Sequence, residues 1–417
     1  MIALCAHVIW GEKMTLLDFI HENFPHSVMM NLEDEGNRFG LPYPYTVPSP
    51  GDIFDCMFYW DTHFTNVGLI ADGQIQQAIY NTDNIRHMIQ RFGYMPNSSK
   101  SHHLGQSQPP VYYRMVSDIF DVTGDIQWLE SHYDTIAREY DFWMNSRLSP
   151  NGLNHYGNAS RVYSEDEIHK RFAYAKSRFS GFDSDDFDEM KSAVRTVAVL
   201  CESGWDCCYR FEMKGFEYNP VDLNALLYGL ETTMSKFSLI LNRGEESHWQ
   251  MRATIRESKM DQWLFSKELG FYLDWNFVEM HHSPVVSVAS LFPLYVGLLH
   301  NSESILKILK EQMLLPYGVA CTVKPKHGLT LQWEYPKIWA PLQYIAYCAC
   351  IAGNQPDLAR DIAKRYCDLL EKNFAHTGNL WEKYNGITGT VDNAEYNAPP
   401  MLGWTAGSYL FFKNTQN

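Results

Sequence analysis

The stretch Asp222-Leu223-Asn224-Ala225-Leu226-Leu227-Tyr228-Gly229-Leu230-Glu231, continuing through Met234 and Phe237 to Leu241, decides the fold class. Its apolar residues Leu223, Leu226, Leu227, Leu230, Met234, Phe237 and Leu241 recur every three or four positions. That spacing puts them on one face of a helix. Asp222 stands where an N-cap belongs, since a short carboxylate side chain accepts from the open N–H groups of a first turn. Working outward, the same period predicts helices over 75–92, ended by Gly93 and Pro96, and over 127–147, 245–266, 284–299, 302–315, 340–352 and 356–373. Long alternating segments are scarce, so the class is all-α. Between the helices run long connections at 39–61, 94–110, 151–164, 200–220, 322–339 and 375–401, rich in Trp, Tyr, Pro, Gly and Asn. Connections of that length inside a compact chain tend to carry function. The pattern suggests a helical toroid whose loops build a site on one face. The charged segment 165–191 reads as a solvated excursion or lid, residues 1–40 as an N-terminal extension, and 1–417 as one domain.

Composition narrows the function. The 417 residues include 34 Lys and Arg against 49 Asp and Glu, a formal net charge of −15. Such a chain repels phosphates, which argues against nucleic-acid and anionic-membrane partners. Nine cysteines with no CxxC spacing fit small buried side chains in a reducing compartment. The apolar opening from Ile2 to Trp10 lacks the basic start and length of a signal peptide, so a cytoplasmic protein is expected. His102-His103 and His281-His282 have no matching carboxylate spacing and read as polar loop residues rather than metal ligands.

Two carboxylates stand out by their neighbours. Asp206 lies in Glu202-Ser203-Gly204-Trp205-Asp206, and Glu395 in Asn393-Ala394-Glu395-Tyr396-Asn397. Sugar hydrolysis needs one carboxylic acid kept protonated by an apolar wall and one carboxylate to activate water. Three pairs, Trp60-Asp61, Trp205-Asp206 and Trp333-Glu334, each join an indole to a carboxylate in a predicted loop. Flat rings for stacking and polar groups at the rim suit a neutral polyhydroxylated ligand.

At these residues the chain resembles the trehalases of glycoside hydrolase family 37, and more distantly the α-glycosidases of family 63. The resemblance runs in order through Phe58-Tyr59-Trp60-Asp61, Gly93-Tyr94-Met95-Pro96-Asn97, Ser107-Gln108-Pro109-Pro110, Glu202 to Asp206 and Asp222-Leu223-Asn224-Ala225. It continues through Gln332-Trp333-Glu334-Tyr335-Pro336, Trp339 to Gln343, Glu382-Lys383-Tyr384, Glu395-Tyr396 and Gly403-Trp404-Thr405. It implies an (α/α)6 toroid, no cofactor, and inversion at the anomeric carbon, with trehalose the leading substrate. Carried over, Asp206 is the general acid and Glu395 the general base. Trp60, Asp61, Asn97, Gln108, Trp333 and Glu334 are expected to hold the cleaved sugar, and Phe54, Gln106, Arg161 and Trp205 complete the expected substrate-binding set. The partner is a small neutral sugar, and the chain a monomer or homodimer.

The departures from the family concern arginine. Pro50-Gly51-Asp52-Ile53-Phe54 puts Ile53, and Gln106-Ser107-Gln108 puts Gln106, where the family has Arg. Arg161 is a loose counterpart of a third. Losing a guanidinium removes a fixed fork of donors from around the leaving group. The alternatives are therefore another α-glycoside, such as glucosylglycerate, mannosylglycerate or an α-glucosyl disaccharide, or a weakly active or sugar-binding homologue. An anionic aglycone would need basic residues, which Arg161, Arg171 or Arg178 could supply.

Overall fold

A computed structural model describes residues 14–49, 51, 54–158, 161–179, 183–326, 331–394, 397–400 and 402–416; Ile53 and Glu395 therefore lie outside the described residues. Fourteen α-helices occur among the described residues: Leu16–Asn23 (α1), Tyr59–Ala71 (α2), Ile75–Phe92 (α3), Tyr112–Thr123 (α4), Ile126–Ser146 (α5), Glu165–Arg178 (α6), Phe187–Ser203 (α7), Val221–Ile240 (α8), Glu246–Trp263 (α9), Phe292–Tyr295 (α10), Ser302–Ile308 (α11), Ala340–Ala352 (α12), Pro356–Thr377 (α13) and Trp404–Gln416 (α14). Six of them close a ring. α2 packs on α4, α4 on α8, α8 on α10, α10 on α12, α12 on α14, and α14 back on α2. Helices α3, α5, α9 and α13 cover this ring from outside. α1 joins them through Phe19 against Phe374, with ring centroids 5.0 Å apart, and through His21 Nε2, 2.9 Å from Asp72 Oδ1. The result is the (α/α)6 toroid, and residues 16–23 of the expected N-terminal extension are part of its outer layer. Among the described residues the strands are two or three residues long and form no closed sheet.

Burial on every side hides two of the inner helices from periodicity, whereas inner α8 keeps a readable stripe because its second half has a wet face. The inner α2 is buried from Tyr59 to Leu69 and α14 from Trp404 to Leu410, so neither has a polar face to mark it. The predicted loop pair Trp60-Asp61 is in fact the first turn of α2. α2 and α14 meet at Gly68 and Gly407, where a Cβ on Gly68 would come within 2.3 Å of the Gly407 Cα.

Local competition corrects other boundaries. Asp222 is not the N-cap: α8 starts at Val221, and the Asp222 carboxylate sits in its first turn paired with Arg210. The predicted helix 284–299 shrinks to a 3₁₀ turn at Val288–Leu291 and α10, because the Val288 N–H donates to the Cys321 carbonyl and the Val286 carbonyl accepts from the Val323 N–H, pairing this stretch with 321–323. The helix predicted over 302–315 widens to a π turn at Leu309–Met313, then enters a short antiparallel pair with Gly318–Val319. Segment 165–191, expected as a solvated excursion, lid or insertion, contains a helix docked by one face. Its α6 carries a capping box at Ser164 and Glu167, buries Ile168, Phe172 and Ala175, and packs on α7. The pair α6 and α7 is inserted between outer α5 and inner α8. Among the described residues no helix is long and apolar enough to cross a membrane.

Candidate active site

A cavity of about 560 Å³ opens where α2, α12 and α14 begin. One wall is indole. Trp333 and Trp339 stack with centroids 3.9 Å apart at 9°, Trp60 lies 5.7 Å from Trp333, and Trp404 meets Trp60, Trp333 and Trp339 edge-on. These rings are held by backbone bonds as well as by packing: the Trp60 N–H donates to Gln108 Oε1 at 3.0 Å and the Trp339 indole N–H to the Gln332 carbonyl at 3.1 Å. Such a surface offers a pyranose ring a flat apolar face already ordered before binding.

Asp206 enters the cavity from a loop fixed on both sides. α7 ends at Ser203, and Gly204 turns the chain at φ +76°, where a Cβ would lie 2.6 Å from the Trp60 ring. Ser203 Oγ accepts from the Trp205 N–H at 3.2 Å. The Trp205 ring lies under the Arg210 guanidinium at 4.4 Å, and Arg210 is itself buried between Asp222 and Asp274 at 2.9–3.1 Å. From the opposite side, the Trp333 N–H donates to the Cys207 carbonyl at 2.9 Å, and the Tyr209 N–H to Glu334 Oε1 at 2.7 Å. Burial pushes the Asp206 carboxyl up to about 6, with Arg178 pulling it back down. A carboxyl in that range can hold a proton near neutral pH and release it, as a general acid must.

Asp61 and Glu382 border the same space. Burial above all, with Asp206 and Glu382 nearby, holds the Asp61 carboxyl well above the usual carboxylate range. The loop 97–108 is tied down by Glu202, which takes the Arg147 guanidinium at 2.8 and 3.1 Å, the Ser107 N–H at 2.7 Å and the Gly157 N–H. Asn97 Nδ2 donates to the Ser107 and Cys201 carbonyls at 3.2 and 3.1 Å. Gln106 Nε2 donates to the Ala198 carbonyl at 3.2 Å.

Of the expected residues, Phe54, Trp60, Asp61, Asn97, Gln106, Gln108, Asp206 and Trp333 line the cavity together. Arg161, Trp205 and Glu334 stand behind its wall. Arg161 donates to the Leu104 carbonyl at 3.1 Å and lies over the Tyr163 ring, while Trp205 and Glu334 brace the Asp206 loop. Asn397 and Pro399, which flank the undescribed Glu395, reach the cavity. His102 and His103 are not free loop residues: both stand at the cavity rim, His103 with Nδ1 2.5 Å from Ser98 Oγ. Glu382, Trp339, Trp404 and Tyr174 were not expected. Trp381-Glu382 carries the same indole–carboxylate signal as the three pairs read from the sequence.

The comparisons with known proteins agree with this arrangement. A family model described as Trehalase matches residues 21–417. The periplasmic trehalase of Pseudomonas aeruginosa is 31% identical over 402 residues, covering 89% of this chain and 70% of its own. Among solved structures, neutral trehalase from Saccharomyces cerevisiae is similar at a TM-score of 0.75 and 24% identity, covering 90% of this chain and 74% of that one. A family 63 mannosylglycerate hydrolase from Thermus thermophilus follows at 0.64 and 16%, covering 95% and 99%. The expectation of a cytoplasmic protein is corrected here, because the curated relatives are named periplasmic trehalases. The cysteine argument misled for a physical reason. Cys56, Cys207, Cys208, Cys321, Cys350 and Cys367 are buried free thiols, and a thiol walled off from solvent reports packing rather than redox compartment.

Proposed function

The chain belongs to the trehalase family and is a glycoside hydrolase, and on that footing we propose that it hydrolyses a small α-glucoside with inversion, with α,α-trehalose the leading substrate. Asp206 is the general acid and Glu395 the general base. The observation that carries this reading is a buried carboxyl, shifted to about 6, on the wall of an indole-lined cavity.

In the reaction the bond between the anomeric carbon and the leaving oxygen breaks as the Asp206 proton moves to that oxygen. Water attacks the same carbon from the opposite face and gives its proton to Glu395, so the product configuration is inverted. Inversion needs room for that water, which sets the two carboxyls roughly 6.5–9.5 Å apart. Trp60 and Trp333 support the ring, with Asp61, Asn97 and Gln108 around it. Trp205 and Glu334 fit positioning residues for the acid loop. The names of the curated relatives support a periplasmic location.

The test is sugar release from purified protein with trehalose, kojibiose, nigerose, maltose and isomaltose, each run beside Asp206→Asn. With trehalose, the expected release disappears in Asp206→Asn and, followed by NMR, starts as equal β-glucose from the attacked ring and α-glucose from the leaving ring; α-glucose alone would refute inversion. Release that survives the substitution removes Asp206 from its role. The persistence of both Asp206 and Glu395 speaks against a purely sugar-binding protein, which needs neither a proton donor nor a water-activating base.

A further inference from the structure

Charge is divided unevenly around the cavity. The carboxyls that line it, Asp61, Asp206 and Glu382, come from the start of α2 and from the loops after α7 and before α14. The cations that line it, Arg171 and Arg178, both come from α6. Tyr174 of the same helix and Val194, Val197 and Ala198 of α7, on which α6 packs, line the cavity with them. Arg171 lies close enough to His102 and His103 to oppose their protonation, after burial, which is the main cause. Arg178 lines the cavity with Asp206 and its charge lowers that carboxyl against the larger upward push of burial. Taking Asp206 as the acid that protonates the leaving oxygen, the α6 side receives the leaving group. This step rests on the reading above.

Two features make that side suited to an anion. First, Arg171 is half-buried with its guanidinium over the Tyr163 ring at 5.3 Å, and it has no ion pair among the described residues. The neighbouring Glu167 carboxylate, one turn back on α6, accepts instead from the Ser164 N–H and hydroxyl. Second, where the family has Arg the chain has Gln106, one of whose amide N–H groups is held by the Ala198 carbonyl, so the charged donors on this side are those of α6. A guanidinium fork beside an apolar wall matches the planar oxygens of a carboxylate or the oxygens of a phosphate, and the low local dielectric strengthens the pairing.

We infer that the α6 side of the cavity is an anion-accepting leaving-group subsite, in which Arg171 and Arg178 select α-glycosides whose aglycone carries a carboxylate or a phosphate.

The experiment compares trehalose, glucosylglycerate and trehalose 6-phosphate in two ways. Turnover is measured with wild type, Arg171→Gln, Arg171→Lys and Arg178→Gln, and binding by calorimetry with Asp206→Asn and with Asp206→Asn combined with Arg171→Gln. Thermal melting confirms that each variant is folded. The expected result is preference for an anionic α-glucoside, which would replace trehalose as the leading substrate while keeping the hydrolase reading. Arg171→Gln should lower kcat/KM on it roughly tenfold more than on trehalose, the size of one charge-assisted hydrogen bond. Arg171→Lys should recover part of the loss, and added salt should erode the preference. Glucosylglycerate favoured over trehalose 6-phosphate assigns a carboxylate; the reverse assigns a phosphate. Equal losses on neutral and anionic substrates, or no tighter anion binding by Asp206→Asn, overturns the subsite while leaving the hydrolase reading intact. Sugar release that survives Asp206→Asn removes Asp206 from the acid's role, on which the placing of the leaving group rests, and the calorimetry then judges anion binding by itself.

Discussion

Gly204→Ala is the smallest change that should disable this site. The residue sits at φ +76°, a left-handed conformation that costs an L-residue with a Cβ about 1–2 kcal/mol. The added methyl would also lie 2.6 and 2.7 Å from two carbons of the Trp60 ring, against an ordinary contact near 3.5–4.0 Å. Trp60 has no room to retreat, because it is buried against Phe64, Trp333 and Trp404 and its backbone N–H is held by Gln108. Overpacking of this kind costs about 1–3 kcal/mol more. The total, about 2–5 kcal/mol, exceeds what the single bonds flanking Asp206 can resist, so the loop should shift before the ring does. A displacement of about 1 Å at a catalytic group can cost 10²-fold in rate. The assay pairs thermal or denaturant unfolding with kcat on the best substrate of the panel. We expect clear destabilisation and a kcat loss of that order with a smaller change in KM. A variant with wild-type stability and wild-type kcat would refute the argument that Gly204 places the acid.

Other expectations follow from the same geometry. If Asp206 works as the protonated acid, activity should fall as pH rises through about 6; Arg178→Gln, by removing a cation that pulls this carboxyl down, should move that limb to higher pH. Arg210→Met should destabilise the protein by about 3–5 kcal/mol, because it strands Asp222 and Asp274 as buried, uncompensated carboxylates; an unchanged unfolding midpoint would refute this. Glu334→Ala leaves the Tyr209 N–H without its acceptor and should lower kcat, whereas Glu334→Gln keeps an acceptor and should leave KM near wild type. A large KM increase in Glu334→Gln would show instead that its carboxylate contacts the sugar.

The sequence by itself determined the helical class and the order of the motifs, which rest on local periodicity and on residue types side by side in the chain, while Asp206 became the candidate acid through the family resemblance those motifs carry. Outer helices such as α3 and α13 were legible because one face is wet. Inner α2 and α14 were not, because burial on every side erases the stripe, whereas inner α8 stayed legible through the wet face of its second half. Only the tertiary structure decided what closes the ring and what enters the cavity. It brought Trp339, Glu382 and Trp404 to Trp60 across hundreds of residues, and it moved Trp205 and Glu334 from the sugar's side of the wall to the side that braces the acid loop. It also turned a charged segment that looked solvated into α6, whose apolar stripe docks on α7 and whose arginines face the site. A residue's chemistry is written where it stands in the chain, but the side of a wall it faces depends on every helix packed around it.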